Sequence, residues 1–321
     1  MQTTKIKEQD YGISFIRLFA MFLIITCHIL QYYDIVYAWV LNVGVQIFLI
    51  VSGYLYGAKK IESTLSFIKK QFKKILIPYW VFLSLVCITY YIFHPYYLNI
   101  KNIILSYLSV DTMLGIEHLW FIEYILVCYA ITPLLNIVRD KYINNANNLA
   151  IATLVTMACI EVLCIPLPLK GIYINCFVFG YFLKNSEKIC TPQTINKLNN
   201  SIVCIAVIFN ITRLMINTAT INISMSINSW SHFLLGAAIF ILLHKYAIIR
   251  KNNKALQLSD KYSYHIYLVH QFFILSPFTV LTITNFKPFN IAAVYIVSFI
   301  GGYLLYNICN IIYPQNKKLR S

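Results

Sequence analysis

YGISFIRLFAMFLIITCHILQYY, residues 11–33, is the stretch that decides the fold. At about 1.5 Å of rise per residue it is long enough to cross the roughly 30 Å hydrocarbon layer of a bilayer. It holds two side chains that hydrocarbon rejects, Arg17 and His28. Eleven positions at about 100° each complete three turns plus roughly 20°, so both fall on one helical stripe, about 16 Å apart along the axis. A charge at mid-bilayer costs at least about 2.5 kcal/mol, which makes an intramembrane ionisable residue a candidate for function. For Arg17 the competing reading is snorkelling toward lipid phosphates. For His28 a general base or proton relay competes with an imidazole bonded to a neighbouring hydroxyl.

The rest of the chain repeats this pattern. Of 321 residues, 59% are hydrophobic and 12% charged, and the mean hydropathy is +0.68, the composition of a multispan membrane protein. Cutting at polar clusters predicts an all-α integral membrane protein of about ten spans. These are 11–33, 36–57, 75–94, 119–138, 148–165, 171–184, 201–216, 230–249, 264–284 and 289–312, the sixth being short. The first apolar run leads straight into another without a cleavage site, so it is read as a span and not a signal peptide.

The charges provide an independent check. Segments 1–10, 58–74, 139–147, 184–200, 245–263 and 313–321 hold 21 of the 26 basic residues; Lys101, Lys170 and Lys287 fall on the other side, and Arg17 and Arg213 within spans. Basic residues stay on the cytoplasmic side, so both termini are expected there. The net charge of +15 is then a topology signal and no sign of nucleic acid. No repeat, linker or low-complexity tract divides the chain, and residues 1–321 are expected to form a single membrane domain. The nine cysteines lie mostly in apolar runs and read as packing residues, with no metal-ligand spacing. Phosphate-binding glycine loops, HExxH and GxSxG are absent from the sequence, and no permanently bound cofactor is expected.

Further polar residues sit near span ends. Ser52 and Gly53 in GVQIFLIVSGYLYG allow close approach of a helix or a slender ligand. Lys69, Lys70, Lys73 and Lys74 in FIKKQFKKILIPYW form a basic mouth that suits lipid headgroups or a phosphorylated ligand, with Pro78 placed near the start of a span. EHLWFIEY supplies Glu117, His118, Trp120 and Glu123; Trp120 suits an interfacial belt, and Glu123 is placed to orient an imidazole such as His28. Glu161 and Arg213 are expected to pair or to be structural. SYHIYLVHQFF carries His265, Tyr267 and His270, with His265 able to reach water and His270 deeper.

As a set, R-x10-H in the first span, FLIVSGYL, a basic segment leading into IPY, HLWF, and a late SxxIYLxH resemble the acyltransferase-3 family of bacterial membrane O-acyltransferases, over residues 13–312. The resemblance implies a multi-pass protein of the bacterial cell membrane that moves an acyl group, acetyl by expectation, from cytoplasmic acyl-CoA to a carbohydrate hydroxyl. It implies Arg17 and His28 as the key pair with His28 as base, acyl-CoA held around Lys70, Lys73, Lys74, Ser52 and Gly53, and Trp120, His118, Tyr267 and His270 as acceptor or supporting residues. The family often has two arginines where this chain has Gln71 and Lys74; lysine keeps a charge but loses the bidentate fork. No SGNH hydrolase-like domain follows, so the membrane domain is expected to complete the transfer or to hand the acyl group to a separate protein. The alternative is a carrier of polysaccharide or lipid-linked sugar that does no chemistry.

Overall fold

The computed structural model describes residues 11–215, 221–246 and 253–314, with side chains omitted for 221–226. Lys5, Lys7, Arg250, Lys251, Lys317, Lys318 and Arg320, which contribute to the charge asymmetry, lie outside the described residues. The chain forms helices α1 (Tyr11–Tyr32), α2 (Ala38–Leu41), α3 (Val43–Gly57), α4 (Thr64–Phe93), α5 (Ile100–Tyr107), α6 (Phe121–Tyr142) and α7 (Ala146–Cys164). These are followed by α8 (Gly171–Ile189), α9 (Pro192–Met215), α10 (Ile221–Tyr246), α11 (Lys254–Val269), α12 (Phe272–Leu275) and α13 (Lys287–Ile312). Short 3-10 turns occur at Pro95–Tyr97, Glu117–Trp120 and Val280–Thr282, and the described residues contain no β-strand. The protein is an all-α, multi-pass membrane protein.

Each of the ten predicted spans contains helix. Among the described residues, eight helical segments are long and apolar enough to cross a bilayer unaided. The other two are α8 and α11–α12, which carry polar residues that the fold turns inward. Asn175, Asn185 and Ser186 of α8 and Ser263 and His265 of α11 are buried. Inward-facing polar groups lower the mean hydropathy of a segment without exposing it to lipid. The ninth span is displaced from 264–284. Helical dihedrals run through His270 and Gln271, and α12 ends at Leu275 because Pro277 forces Ser276 into an extended conformation.

Three further differences bear on the site. The basic segment is helix and not loop, because α4 starts at Thr64, where the Ser63 hydroxyl accepts the Ser66 amide. Pro78 therefore lies halfway along a 30-residue helix rather than near a start. Residues 95–118, expected as an outer loop, turn back along α4. The Tyr79 hydroxyl bonds the Ser106 carbonyl, the Trp80 indole donates to the Tyr107 carbonyl at 3.0 Å, and the Tyr90 hydroxyl donates to the Leu114 carbonyl at 2.7 Å. Tyr79 is eleven residues, or about 16 Å, below Tyr90, so α5 is a re-entrant helix too short for a span-length rule to detect.

Helix α3 forms the middle of the bundle and packs most closely on α8. A Cβ at Gly53 would come within 1.9 Å of the Phe177 carbonyl oxygen, and one at Gly180 within 2.0 Å of the Ile50 carbonyl oxygen. Glycine here lets two backbones touch, the small-residue packing that substitutes for hydrophobic attraction between helices in lipid. The assignment of Gly53 to acyl-CoA is corrected on that ground: its Cα faces α8, with no room for a ligand. Helices α7 and α9 lie at the periphery, with Leu154 and Leu214 68% and 74% exposed, as lipid-facing side chains should be.

Candidate active site

Helices α1 and α11 lie side by side and run in the same direction, for Arg17 meets Asp260 at one end and His28 meets His270 near the other. The site follows this seam from its basic end to its histidine end.

At the basic end the Arg17 guanidinium forms an ion pair with Asp260, and the Ser14 hydroxyl donates to the other Asp260 oxygen at 3.1 Å. Arg17 is therefore tied to α11 by its ion pair rather than left free to snorkel to lipid. Beside the pair opens a cavity of about 310 Å³, lined at its mouth by Lys73, Lys74, Lys261 and Tyr313, along its length by Ser52, Pro78, Tyr129 and His265, and at its inner end by Phe48, Phe121 and Tyr267. Asp260 and Tyr267, seven residues apart, set a depth of about 10 Å. Three basic-mouth candidates, Lys73, Lys74 and Arg17, are brought together with Ser52. Lys70 is exposed on α4 and does not line the cavity. Gln71 is buried and accepts the Tyr56 hydroxyl at 2.6 Å, so the position where the family often has arginine points into the core.

Behind the aromatic wall lie three imidazoles. The ring centroids of His118 and His270 are 4.6 Å apart, those of His28 and His270 5.3 Å, and those of His28 and His118 6.1 Å. Tyr267 anchors two of them: its carbonyl lies 2.8 Å from His118 Nε2 and 2.6 Å from His270 Nδ1. Its hydroxyl donates to the His118 carbonyl at 2.6 Å. Gln271 completes the cradle, its Oε1 accepting the His118 backbone amide at 2.7 Å and sitting 2.5 Å from His118 Nδ1. Both ring nitrogens of His118 thus face oxygens of the 267–271 segment. His118 and His270 are fully buried, whereas His28 is half-buried. The accessible imidazole of the three is His28.

His28 Nδ1 lies 2.6 Å from Gln31 Oε1, one helical turn away on α1. A donor at Nδ1 leaves Nε2 as the basic nitrogen, the tautomer that a catalytic imidazole needs. The orienting partner is this exposed amide and not the carboxylate expected from the sequence. Glu123, in the first turn of α6, makes no hydrogen bond or ion pair among the described residues. Trp120 packs against Tyr173, tilted at 4.8 Å, and edge-on against Tyr124 at 5.3 Å, and makes no ring contact with the imidazoles among the described residues. Glu161 and Arg213 do not pair: Glu161 accepts the Asn175 amide at 2.8 Å, and Arg213 donates to Asn228 at 2.7 Å while lying over the Trp39 ring at 3.7 Å.

The residues that sequence reasoning missed are Asp260, Gln31, Gln271 and, as a cavity residue, His265. One signal for Asp260 was present, since Asp260 and His270 are spaced ten apart, nearly as Arg17 and His28 are. Among the described residues no group of three or more His, Cys, Asp or Glu side chains, the three imidazoles included, is arranged to hold a metal ion. A family model described as an acyltransferase domain matches residues 10–307. No curated protein and no solved structure matches the chain.

Proposed function

The chain belongs to the acyltransferase-3 family and is a membrane acyltransferase, and on that premise we propose that it moves an acetyl group from acyl-CoA to a carbohydrate hydroxyl. The observation that carries the reading is the placement of an accessible imidazole, His28, across one aromatic wall from a basic cavity. The basic end is assigned to the cytoplasm by its lysines, and the cations at the mouth suit the phosphates of CoA. The acyl-bearing arm occupies the cavity toward Tyr267, and the wall of Phe48, Phe121 and Tyr267 swings aside for the thioester to reach His28. There the acceptor oxygen attacks the thioester carbon. The new O–C bond forms as the C–S bond breaks, His28 Nε2 receives the hydroxyl proton, and that proton then passes to the departing thiolate, giving the free thiol. Gln31 fixes the His28 tautomer throughout. The acceptor is a sugar of a surface polysaccharide or a lipid-linked oligosaccharide, met at the outer face of the bacterial cell membrane.

The experiment is acetylation of surface polysaccharide in cells carrying His28→Ala or Arg17→Ala at matched protein levels. Loss in both is expected, His28→Ala by 100-fold or more. Unaltered acetylation in both refutes the assignment. Consumption of labelled acetyl-CoA by the purified protein, dependent on His28, excludes a carrier that does no chemistry.

A further inference from the structure

We infer that the acceptor hydroxyl is received between two imidazoles, with His270 Nε2 as a second proton acceptor beside His28. The inference deepens the acyl-transfer reading and rests on it.

His270 Nδ1 lies 2.6 Å from the Tyr267 carbonyl, which can only accept, so the ring proton sits on Nδ1 and Nε2 keeps its lone pair. That Nε2 is buried and has no hydrogen-bond partner among the described residues, in a side chain that is 0% exposed. An unmet buried acceptor costs about 1–3 kcal/mol, and its presence at a functional site calls for an explanation. His118 cannot supply the donor, because its Nδ1 faces Gln271 and its Nε2 faces the Tyr267 carbonyl. Two other rings neighbour it: that of Tyr267, at 5.6 Å with its hydroxyl spent on the His118 carbonyl, and that of His28, at 5.3 Å and inclined by 38°. Its Nδ1 is engaged by Gln31, leaving its own Nε2 as the second lone pair. In the proposed cradle, a hydroxyl brought past half-buried His28 into the gap between the two rings meets both. Its single proton is shared between two nitrogens as the O–H bond breaks, the oxygen bonds to the acyl carbon and the C–S bond is lost. The shared proton leaves on the thiolate sulfur.

Two substitutions separate this from a packing role. His270→Asn keeps an amide N–H for the Tyr267 carbonyl but removes Nε2. His270→Gln restores an acceptor oxygen near the Nε2 position without a proton-holding base. Each purified variant is assayed with labelled acetyl-CoA and the cell's own purified surface polysaccharide as acceptor, normalised to folded protein by size-exclusion profile. His270→Asn is expected to lower kcat about 100-fold with KM for acetyl-CoA within threefold of the parent, and His270→Gln to retain more activity than His270→Asn. Retention of a third or more of kcat in His270→Asn, or equal activity of the two variants, overturns the two-imidazole cradle. If His28→Ala is inactive in that same outcome, the acyl-transfer reading stands while the cradle falls. Full activity of His28→Ala defeats both.

Discussion

Replacing Asp260 by asparagine isolates the part Arg17 plays. In the native protein the guanidinium meets a carboxylate whose other oxygen is held by Ser14. The side chains are 25% and 16% exposed, so neither charge has full access to water. Two unit charges about 4 Å apart attract by about 4 kcal/mol at an effective dielectric constant near 20. Desolvation opposes this, and the remaining exposure screens it further. Between an exposed pair, worth under about 1 kcal/mol, and the 3–5 kcal/mol lost on breaking a buried one, we expect a coupling of about 2 kcal/mol, roughly a 30-fold change in an equilibrium constant. The assay is a double-mutant cycle of Arg17→Gln and Asp260→Asn, read by denaturant titration in detergent. Each single variant is expected to be less stable than the double, which removes both charges together. If the four stabilities add without coupling, the ion pair does not hold the α1–α11 seam and the reasoning fails. Donor affinity adds a second readout. If Arg17 holds a donor phosphate directly, Asp260→Asn frees it and acetyl-CoA binds at least as tightly, while Arg17→Gln weakens binding about tenfold. If Arg17 acts only through Asp260, both weaken it equally.

Gln31→Ala should lower kcat about tenfold to 100-fold with the acetyl-CoA KM unchanged, since the tautomer of His28 is lost while the donor cavity is intact; steady-state kinetics read this directly. Phe121→Ala thins the wall between cavity and imidazoles, and hydrolysis of acetyl-CoA in the absence of acceptor should rise several-fold, measured as thiol release. Gly53→Ala places a methyl group within 1.9 Å of a backbone oxygen; overpacking of this kind costs about 1–3 kcal/mol or more, and the variant should express as aggregate or melt lower. Gln71→Arg restores the charge common in the family yet should destabilise by at least about 2 kcal/mol without improving acetyl-CoA affinity, because residue 71 is buried against Tyr56.

How far the sequence was legible depended on contrast. Arg17 and His28 stand out because everything around them is apolar, and their common stripe follows from helix geometry alone. The spans were legible for the same reason, wherever the whole helix faces lipid or apolar core. Legibility failed where polarity was ordinary for its surroundings. Asp260 lies in SDKYSYH, a stretch whose charges suit a cytoplasmic loop, and only the parallel packing of α1 and α11 brings it to Arg17. Gln31 and Gln271 are neutral amides at helix ends, a position where amides are unremarkable. Gln71 looked like a gap in a row of cations, though the turn of α4 sends it inward while Lys73 and Lys74 face the cavity. A carboxylate was expected beside His28 because that is the common orienting partner, but α6 presents Glu123 elsewhere.

The seam also bears on the choice between an enzyme and a carrier. Arg17 with Asp260 and His28 with His270 join the same two parallel helices about 16 Å apart, so the two ends of the path are in fixed register. Helix α13 reinforces it, since a Cβ at Gly302 would come within 2.7 Å of the Ile266 backbone nitrogen, leaving α11 no slack between its two polar contacts. A carrier for sugar chains needs this seam, or one like it, to part along its length between alternating states. An acyltransferase needs far less: a thioester and its short acyl group must pass one layer of aromatic side chains. Tyr267 is the residue in that layer which also binds His118 through its hydroxyl and both His118 and His270 through its carbonyl. In the proposed mechanism, side-chain rotation there gives up the hydroxyl's bond to His118 but leaves the backbone carbonyl on both imidazoles, so the barrier can yield without dismantling the site behind it. This division of labour within one residue favours passage of an acyl group over passage of a sugar.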